Sequence, residues 1–399
     1  MLVVSRAGAV LGPDGLRYQN LDGSYLEGIA RGVRSMTLLC PIQRLGQDET
    51  AAVYAGYNHR FSTPALQILE LPDYKTRSVS LRGGLRQVLS QFRLIWRQLD
   101  GHDTVFVMMS TFRAAFAAVA GRLRGRRVIL YSGNDWYADM ASSYKFKGPL
   151  ARLVYPFFRW FCGFAERRAM GAAQLRIVNG VSLVRKYGKL PGRTVETKPL
   201  VTIRPADIAP RRDTCQTPRV RLLCVAGLMP RKGIQFLLEA MALLRSEGQE
   251  THLTLVGGEQ PETGARLRAL CVERGLEDAV EFAGYVANGP DLIQRYRESD
   301  LFVLPSLSEG FPRVIFEAMA QSLPVVASRI PNIEGRLGDV GYLQYAAPGD
   351  PRDLARAISA VISNGELRRS MIARCHEYIG ELLRESPVDQ FLREAARLD

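Results

Sequence analysis

Through most of the chain, short apolar runs alternate with stretches whose apolar positions recur at helical spacing. That rhythm predicts repeated β-α-β units and parallel sheets. In the first half, the runs Leu2–Ser5, Met36–Cys40, Thr104–Met108 and Arg127–Tyr131 predict strands. Asp22-Gly23 predicts a loop, and Ser24-Tyr-Leu-Glu27 has the spacing of a capping box opening a helix. From Lys186 to Arg219 the periodicity fades and Pro191, Gly192, Pro199, Pro205, Pro210 and Pro218 accumulate, as in a linker, or a final strand plus linker, between two domains.

The second half reads more cleanly. Leu222–Ala226, Leu253–Val256, Val280–Phe282, Leu301–Leu304 and Val325–Ser328 predict strands. Ile234–Arg245, Gly264–Arg274, Asp291–Ser299 and Pro312–Gln321 predict the helices between them, and two helical stretches, about 351–363 and 366–384, finish the chain. This is the pattern of a doubly wound sheet, which binds ligands at the carboxyl ends of its strands. The expected division is 1–200, 201–370 and a helical segment 371–399 that packs back on the first domain.

Composition narrows the function classes. With 399 residues, 47% apolar and 23% charged, the chain has the make-up of ordinary globular domains with more than one core. Its six cysteines (Cys40, Cys162, Cys215, Cys224, Cys271, Cys375) include no C-x-x-C pair, which suits a reducing cytosol better than a disulfide framework. Four scattered histidines leave little material for a zinc site. The opening apolar run meets Arg6 at once, so no secretory signal is expected, and no run of about 18 apolar residues could span a bilayer.

Charge is unevenly placed. Residues 1–205 carry 30 Lys and Arg against 13 Asp and Glu, a net of +17, while the remainder nets −4. Such an excess implies an anionic partner for the first half: nucleic acid, anionic lipid or a phosphorylated substrate. Its densest part, Tyr144–Arg168, sets bulky aromatics among Arg152, Arg159 and Arg167. That suits an in-plane interfacial helix, or equally a buried aromatic helix with a solvated basic edge. Base stacking is a weaker reading, because no nucleic-acid motif accompanies it.

Three loops carry candidate chemistry. Val225-Ala-Gly-Leu-Met-Pro-Arg-Lys-Gly233 puts Arg231 and Lys232 just before a helix start, where an anion is favoured. It is neither a Walker loop nor G-x-G-x-x-G. Leu301-Phe-Val-Leu-Pro-Ser-Leu-Ser-Glu-Gly-Phe-Pro-Arg-Val-Ile-Phe-Glu-Ala-Met-Ala320 ends a strand, carries Glu309-Gly310 in a loop, and places Pro312 in the first turn of a helix with Glu317 further in. Gly310 would let a ligand approach the backbone, and two carboxylates suit the paired hydroxyls of sugars. Phe282-Ala-Gly-Tyr-Val286 could line a nucleobase pocket, but a plain turn at a strand end is the simpler account of these residues alone.

At these residues the sequence resembles the family-4 glycosyltransferases, a retaining group with the GT-B fold, glycosyl transferases group 1. Pro305–Ala320 reproduces their P-S-x-x-E-G-F-x-x-x-x-x-E-A-M-A element, with its Glu-x7-Glu pair. Val225–Gly233 is similar to their V-G-R-L-x-P-x-K-G segment. Leu255-Val-Gly-Gly258, Leu323-Pro-Val-Val-Ala327 and Gly341–Asp350 are similar to further family segments, and the likeness is specific over about 220–370. The resemblance implies an α/β chain, GT-B, with two Rossmann-like doubly wound domains facing across a cleft. The first would bind the acceptor and the second the nucleotide sugar.

Carried over residue by residue, the resemblance assigns Lys232 to the donor diphosphate, with Gly310 and Phe311 bringing helix amides to it. Glu309 would hold sugar hydroxyls, Glu317 the ribose, and Tyr285 and Val286 would flank the base. Lys232 and Glu309 are the implied catalytic pair. The family's Arg falls on Gly227, so Arg231 would have to replace its diphosphate contact. Arg329-Ile330 stand for the family's Gly-Gly, and Asn134-Asp135 for the His-Asp of the acceptor side. The resemblance further implies transfer of a hexose from a UDP- or GDP-sugar, with retention, to a lipid-linked or oligosaccharide acceptor in polysaccharide or glycolipid synthesis. No cofactor and no metal are expected, in keeping with the lack of a D-x-D pair. The charge adds an anionic membrane surface as partner, with no nucleic acid, for a cytoplasmic protein peripheral on that face. A nucleotide-sugar epimerase, or a decayed basic membrane- or nucleic-acid-binding module, are the other readings.

Overall fold

The computed structural model describes residues 1–5, 7–13, 15–44, 57–72, 81–109, 111–133, 135–137, 149–199, 203, 205–309 and 311–398. The chain divides into two compact units, Met1–Leu200 with Ser386–Asp399, and Val201–Glu385.

The first unit is built on strands β1 (Leu2–Val4), β2 (Ala9–Gly12), β3 (Gly15–Arg17), β4 (Met36–Arg44), β5 (Leu66–Leu71), β6 (Thr104–Met108), β7 (Arg127–Ser132), β8 (Leu175–Val178) and β9 (Arg193–Glu196). They form one nine-stranded sheet. Its parallel body runs β5-β4-β1-β6-β7-β8-β9, and β2 with β3 adds an antiparallel hairpin on the far half of β4. Helices α1 (Asn20–Arg31), α2 (Leu81–Gln98), α3 (Phe112–Leu123), α4 (Pro149–Ala172) and α5 (Val181–Tyr187) follow in chain order. Continuous burial along β1, and along β6 and β7 beyond their first residues, explains why their sequences read as apolar runs, whereas β8, equally buried, is interrupted by Arg176. One core lies on each face of the sheet.

Two expectations for this unit fail. Asp22 and Gly23 lie inside α1, and the helix begins at Asn20, so Ser24 and Glu27 are not a capping box. Tertiary contacts decide the matter: Gly23 lies directly against the His59 ring, where a Cβ could not fit. Glu27 accepts hydrogen bonds from Ser62 N (3.0 Å), Ser62 Oγ (2.7 Å) and Thr63 Oγ1 (3.0 Å) instead of capping its own helix. Burial opposes its ionisation, but the Ser62 and Thr63 hydrogen bonds hold the carboxyl down at about 2, against an ordinary 4.5. A depressed folded-state value stabilises at neutral pH, and that contribution is lost as the pH falls from about 4.5 through about 2. Glu27→Gln is therefore expected to lower Tm at pH 7 and to flatten its acid limb over that window, as read by thermal melts at a series of pH values.

The second unit contains β10 (Val220–Val225), β11 (Thr251–Val256), β12 (Val280–Gly284), β13 (Leu301–Leu304), β14 (Val325–Ser328) and β15 (Gln344–Ala346). All are parallel, in the order β12-β11-β10-β13-β14-β15. In order of sequence this is 3-2-1-4-5-6, the dinucleotide-binding arrangement, whose switch point falls between β10 and β13. Helices α6 (Ile234–Ser246), α7 (Pro261–Glu273), α8 (Pro290–Glu298), α9 (Arg313–Ala320), α10 (Pro331–Leu337), α11 (Pro351–Ser363) and α12 (Gly365–Leu382) cover both faces. Four of them open on proline at the first helical position, where its missing N–H costs nothing. Pro312 is displaced from that role: it stands just before α9, which starts at Arg313.

The segment after 370 divides. Helix α12 buries Cys375 and Ile379 in the second unit's core, whereas α13 (Pro387–Ala396) belongs to the first. There Phe391 is fully buried, and Val388 and Leu392 pack against Gly28 and Gly32 of α1. Gln390 completes the attachment by accepting from Lys198 N (2.6 Å) and donating to Glu196 O (2.8 Å).

Candidate functional site

The two strands flanking the switch point of the second unit each deliver a loop. Behind β10 comes Ala226–Gly233, whose last turn, Pro230–Lys232, is a single 3-10 turn. Behind β13 comes the loop Pro305–Pro312, leading into α9. The loops are pressed together. Leu307 N donates to Arg231 O at 2.9 Å, and Gly233, at φ +65, has the Pro305 carbonyl oxygen where a side chain would begin. Only glycine meets both demands.

That contact brings opposite charges to one place. Lys232 Nζ donates to Glu309 Oε1 at 2.6 Å, and Ser306 Oγ donates to the same oxygen at 2.6 Å. Arg231 lies 3.9 Å from the other carboxylate oxygen and donates to Ser308 O at 3.3 Å. The Glu309 side chain is 6% exposed and that of Lys232 14%, so the pair is shielded, whereas Arg231 is 53% exposed. Asn332, in α10, fixes the loop from the other side by donating to Glu309 O at 2.6 Å. Beneath them Cys224 is buried and its thiol pushed up to about 12, which makes it an inert core residue.

Glu317 sits in the fifth position of α9 and accepts from Tyr296 Oη at 2.9 Å. Burial first, and the Glu317 charge second, drive the Tyr296 phenol well above its ordinary range, so it remains a donor. The Glu317 side chain lines a small hollow with Asn288, Leu292 and Gln321. Phe311 stacks on Phe316 with centroids 5.1 Å apart, and the Arg336 guanidinium covers it at 4.9 Å. Tyr285 is 61% exposed after β12, while Val286 packs into the same core cluster as Phe311.

The structure thus unites Arg231, Lys232 and Glu309, and gives Glu317 a separate partner. Gly227 has ordinary space around it, its nearest neighbours being Met229 Cε at 3.6 Å and Gly258 O at 3.8 Å. Arg329 is an exposed residue paired with Glu334 (2.8 Å) and Asp339 (3.3 Å). Gly310 and Asn134 lie outside the described residues. In the first unit Asp135 binds Lys186 Nζ through both oxygens at 2.9 Å, and the same ammonium donates to the buried Glu166 at 3.1 Å. Two further residues of the site, Ser306 and Asn332, carry no functional signal of their own in the sequence. Ser306 is the second residue of the Pro305–Ala320 element, but nothing in the pattern marks Asn332, which arrives from another helix. Among the described residues no three His, Cys, Asp or Glu side chains meet in a way that could hold a metal ion.

A Rossmann-like sheet in each unit, with a cation–carboxylate site at the switch point of the second, defines a protein of the GT-B class. Residues 219–364, which lie within the second unit, match the family described as Glycosyl transferases group 1. The chain is 32% identical over 230 residues to D-inositol 3-phosphate glycosyltransferase 2 of Catenulispora acidiphila, covering 54% of this chain and 51% of that protein. It is 31% identical over 174 residues to the lipopolysaccharide core biosynthesis glycosyltransferase LpsE of Rhizobium meliloti, covering 43% and 48%. The chain thus spans about half the length of these curated relatives. Among solved structures it is similar to Anabaena HepE in complex with UDP and glucose, at a TM-score of 0.65 and 19% identity, over 100% of this chain and 99% of that one.

Proposed function

We propose that this protein is a retaining glycosyltransferase that moves a hexose from a UDP- or GDP-sugar to a lipid-linked saccharide acceptor. The observation that carries the reading is the shielded Lys232–Glu309 pair at the switch point of a 3-2-1-4-5-6 sheet. An ammonium and an acceptor carboxylate at one spot suit a ligand that is anionic on one side and rich in hydroxyls on the other. Lys232 and Arg231 stabilise the diphosphate as the anomeric C–O bond breaks, and Glu309 holds the sugar hydroxyls. The acceptor oxygen attacks the same face, and its proton passes to the departing phosphate oxygen. Glu317 holds the ribose beside Tyr296, and Tyr285 with Val286 flanks the base. The first unit takes the acceptor, and its +17 charge draws the protein to an anionic cytoplasmic membrane surface. Among the described residues no helix is long and apolar enough to cross a membrane.

Support for the donor comes from the UDP and glucose bound by the Anabaena neighbour, and for the acceptor from the lipopolysaccharide role in the name of the Rhizobium relative. Thermal-shift titration with a panel of nucleotide sugars tests the reading. One or more should raise Tm in a concentration-dependent way, and no response across the panel would sink it. Gly227, where a Cβ would meet its neighbours at no less than 3.6 Å, adds a second test. Gly227→Arg is expected to fold and to bind nucleoside diphosphate about three- to tenfold more tightly, as an added charge-assisted contact should. Isothermal titration with UDP and GDP reads that change.

A further inference from the structure

The first unit holds an apolar hollow that the donor site does not use. Helices α2, α3 and α4 border a half-open hollow of about 700 Å³, within the range of sites for small apolar ligands. Its walls include Phe92, Phe112, Phe116, Phe161 and Phe164. Phe92 stacks on Phe116 at 4.4 Å, and Phe112 packs on Phe161 at 5.4 Å. The charged groups among the lining residues are two arginines, Arg113 and Arg168.

Three observations point to the occupant. First, Phe157, Trp160, Phe161 and Phe164 are 65%, 57%, 43% and 39% exposed at i, i+3, i+4, i+7 spacing, which leaves a face of α4 apolar toward solvent. Second, the charge on the lining is entirely positive, so it complements a ligand with an anionic head and an apolar body. An extended peptide would bring backbone amides that phenylalanine walls leave unsatisfied. Third, the place is right for a substrate. Phe112 opens α3 just beyond β6, at the β1–β6 switch point of this sheet, and packs at 5.2 Å on Trp136, the neighbour of Asp135 beyond β7.

We infer that this hollow is a lipid-chain site: it takes the hydrocarbon tail of a phosphorylated lipid acceptor, whose phosphate is met by Arg113 and Arg168. The inference rests on the lipid-linked acceptor proposed above, and its test is run without donor. The full chain is titrated calorimetrically with hexyl, octyl and decyl phosphate below their micelle concentrations. Affinity is expected to rise with length, up to about fourfold per methylene. Phe161→Ser combined with Phe164→Ser should lower decyl phosphate affinity about tenfold or more. Arg168→Glu, at an exposed position, should do so for decyl phosphate while sparing decanol. Phe157→Ser with Trp160→Ser should leave alkyl phosphate binding intact and weaken adsorption to vesicles of one part phosphatidylglycerol to three of phosphatidylcholine. That separates a chain pocket from simple surface adsorption.

Affinity that is flat with chain length, or unchanged in both the double serine variant and Arg168→Glu, overturns the inference. So does affinity for an amphipathic peptide with none for alkyl phosphates. A chain that binds alkyl phosphates in this pattern but no nucleotide sugar upholds the lipid site and overturns the transferase reading. The reverse pattern overturns the lipid site alone.

Discussion

Lys232→Ala is expected to lower kcat/KM for sugar transfer by about 10²–10³-fold, the cost typical of removing one group that stabilises charge developing in a transition state. The loss should fall mainly on kcat, because the diphosphate gains charge as the glycosidic bond breaks, and Lys232 answers that gain. The same change leaves Glu309 without its nearest cation. Removing one partner of a fully buried pair costs roughly 3–5 kcal/mol. The cost should be smaller, about 1–2 kcal/mol, since Ser306 still donates to the carboxylate and Arg231 stands 3.9 Å from its other oxygen. Arg231→Ala, at a side chain 53% exposed, should cost no more than about tenfold. Steady-state and single-turnover rates on the two variants, with thermal melts beside them, read all four quantities. A Lys232→Ala protein that keeps transfer within about threefold of the parent would remove Lys232 from the chemistry.

How far the sequence reveals such a site depends on how local its physics is. The strands β13 and β14, and the inner residues Leu222–Cys224 of β10 and Leu255–Val256 of β11, are legible because parallel strands covered on both faces are apolar where they are buried. The two loops are legible because glycine, proline and charge fall together where a strand gives way to a helix. The failures come from long-range contacts. His59 and Ser62, more than thirty residues away, turn an apparent loop and capping box at Asp22–Glu27 into the interior of a helix. The last helix joins the first unit through Phe391, Val388 and Gln390, contacts to residues about two hundred or more positions earlier. Asn332 reaches the Glu309 carbonyl from a helix that periodicity did not mark. A one-dimensional pattern carries none of these.

The nearness of the two loops leads to the largest expected effect on folding. Gly233→Ala should destabilise the second unit by about 3 kcal/mol or more, from two additive sources. Its φ of +65 costs any residue with a Cβ about 1–2 kcal/mol. The new methyl would also fall on the Pro305 carbonyl oxygen, which is backbone and has no rotamer to retreat into. Relief requires the β13 loop to move away, and that loop carries Ser306 and Glu309. The Lys232–Glu309 distance of 2.6 Å should therefore lengthen together with the loss of stability. Ala at Gly248, also at positive φ (+78) but with nothing within 4 Å, supplies the control. It bears the backbone cost alone and should fall by about 1–2 kcal/mol. Equilibrium urea unfolding of the two variants, with nucleotide-sugar titration of whatever remains folded, separates the terms. Equal losses at the two positions would mean that the β10 and β13 loops do not touch at Gly233, and the charge pair would lose the contact that assembles it.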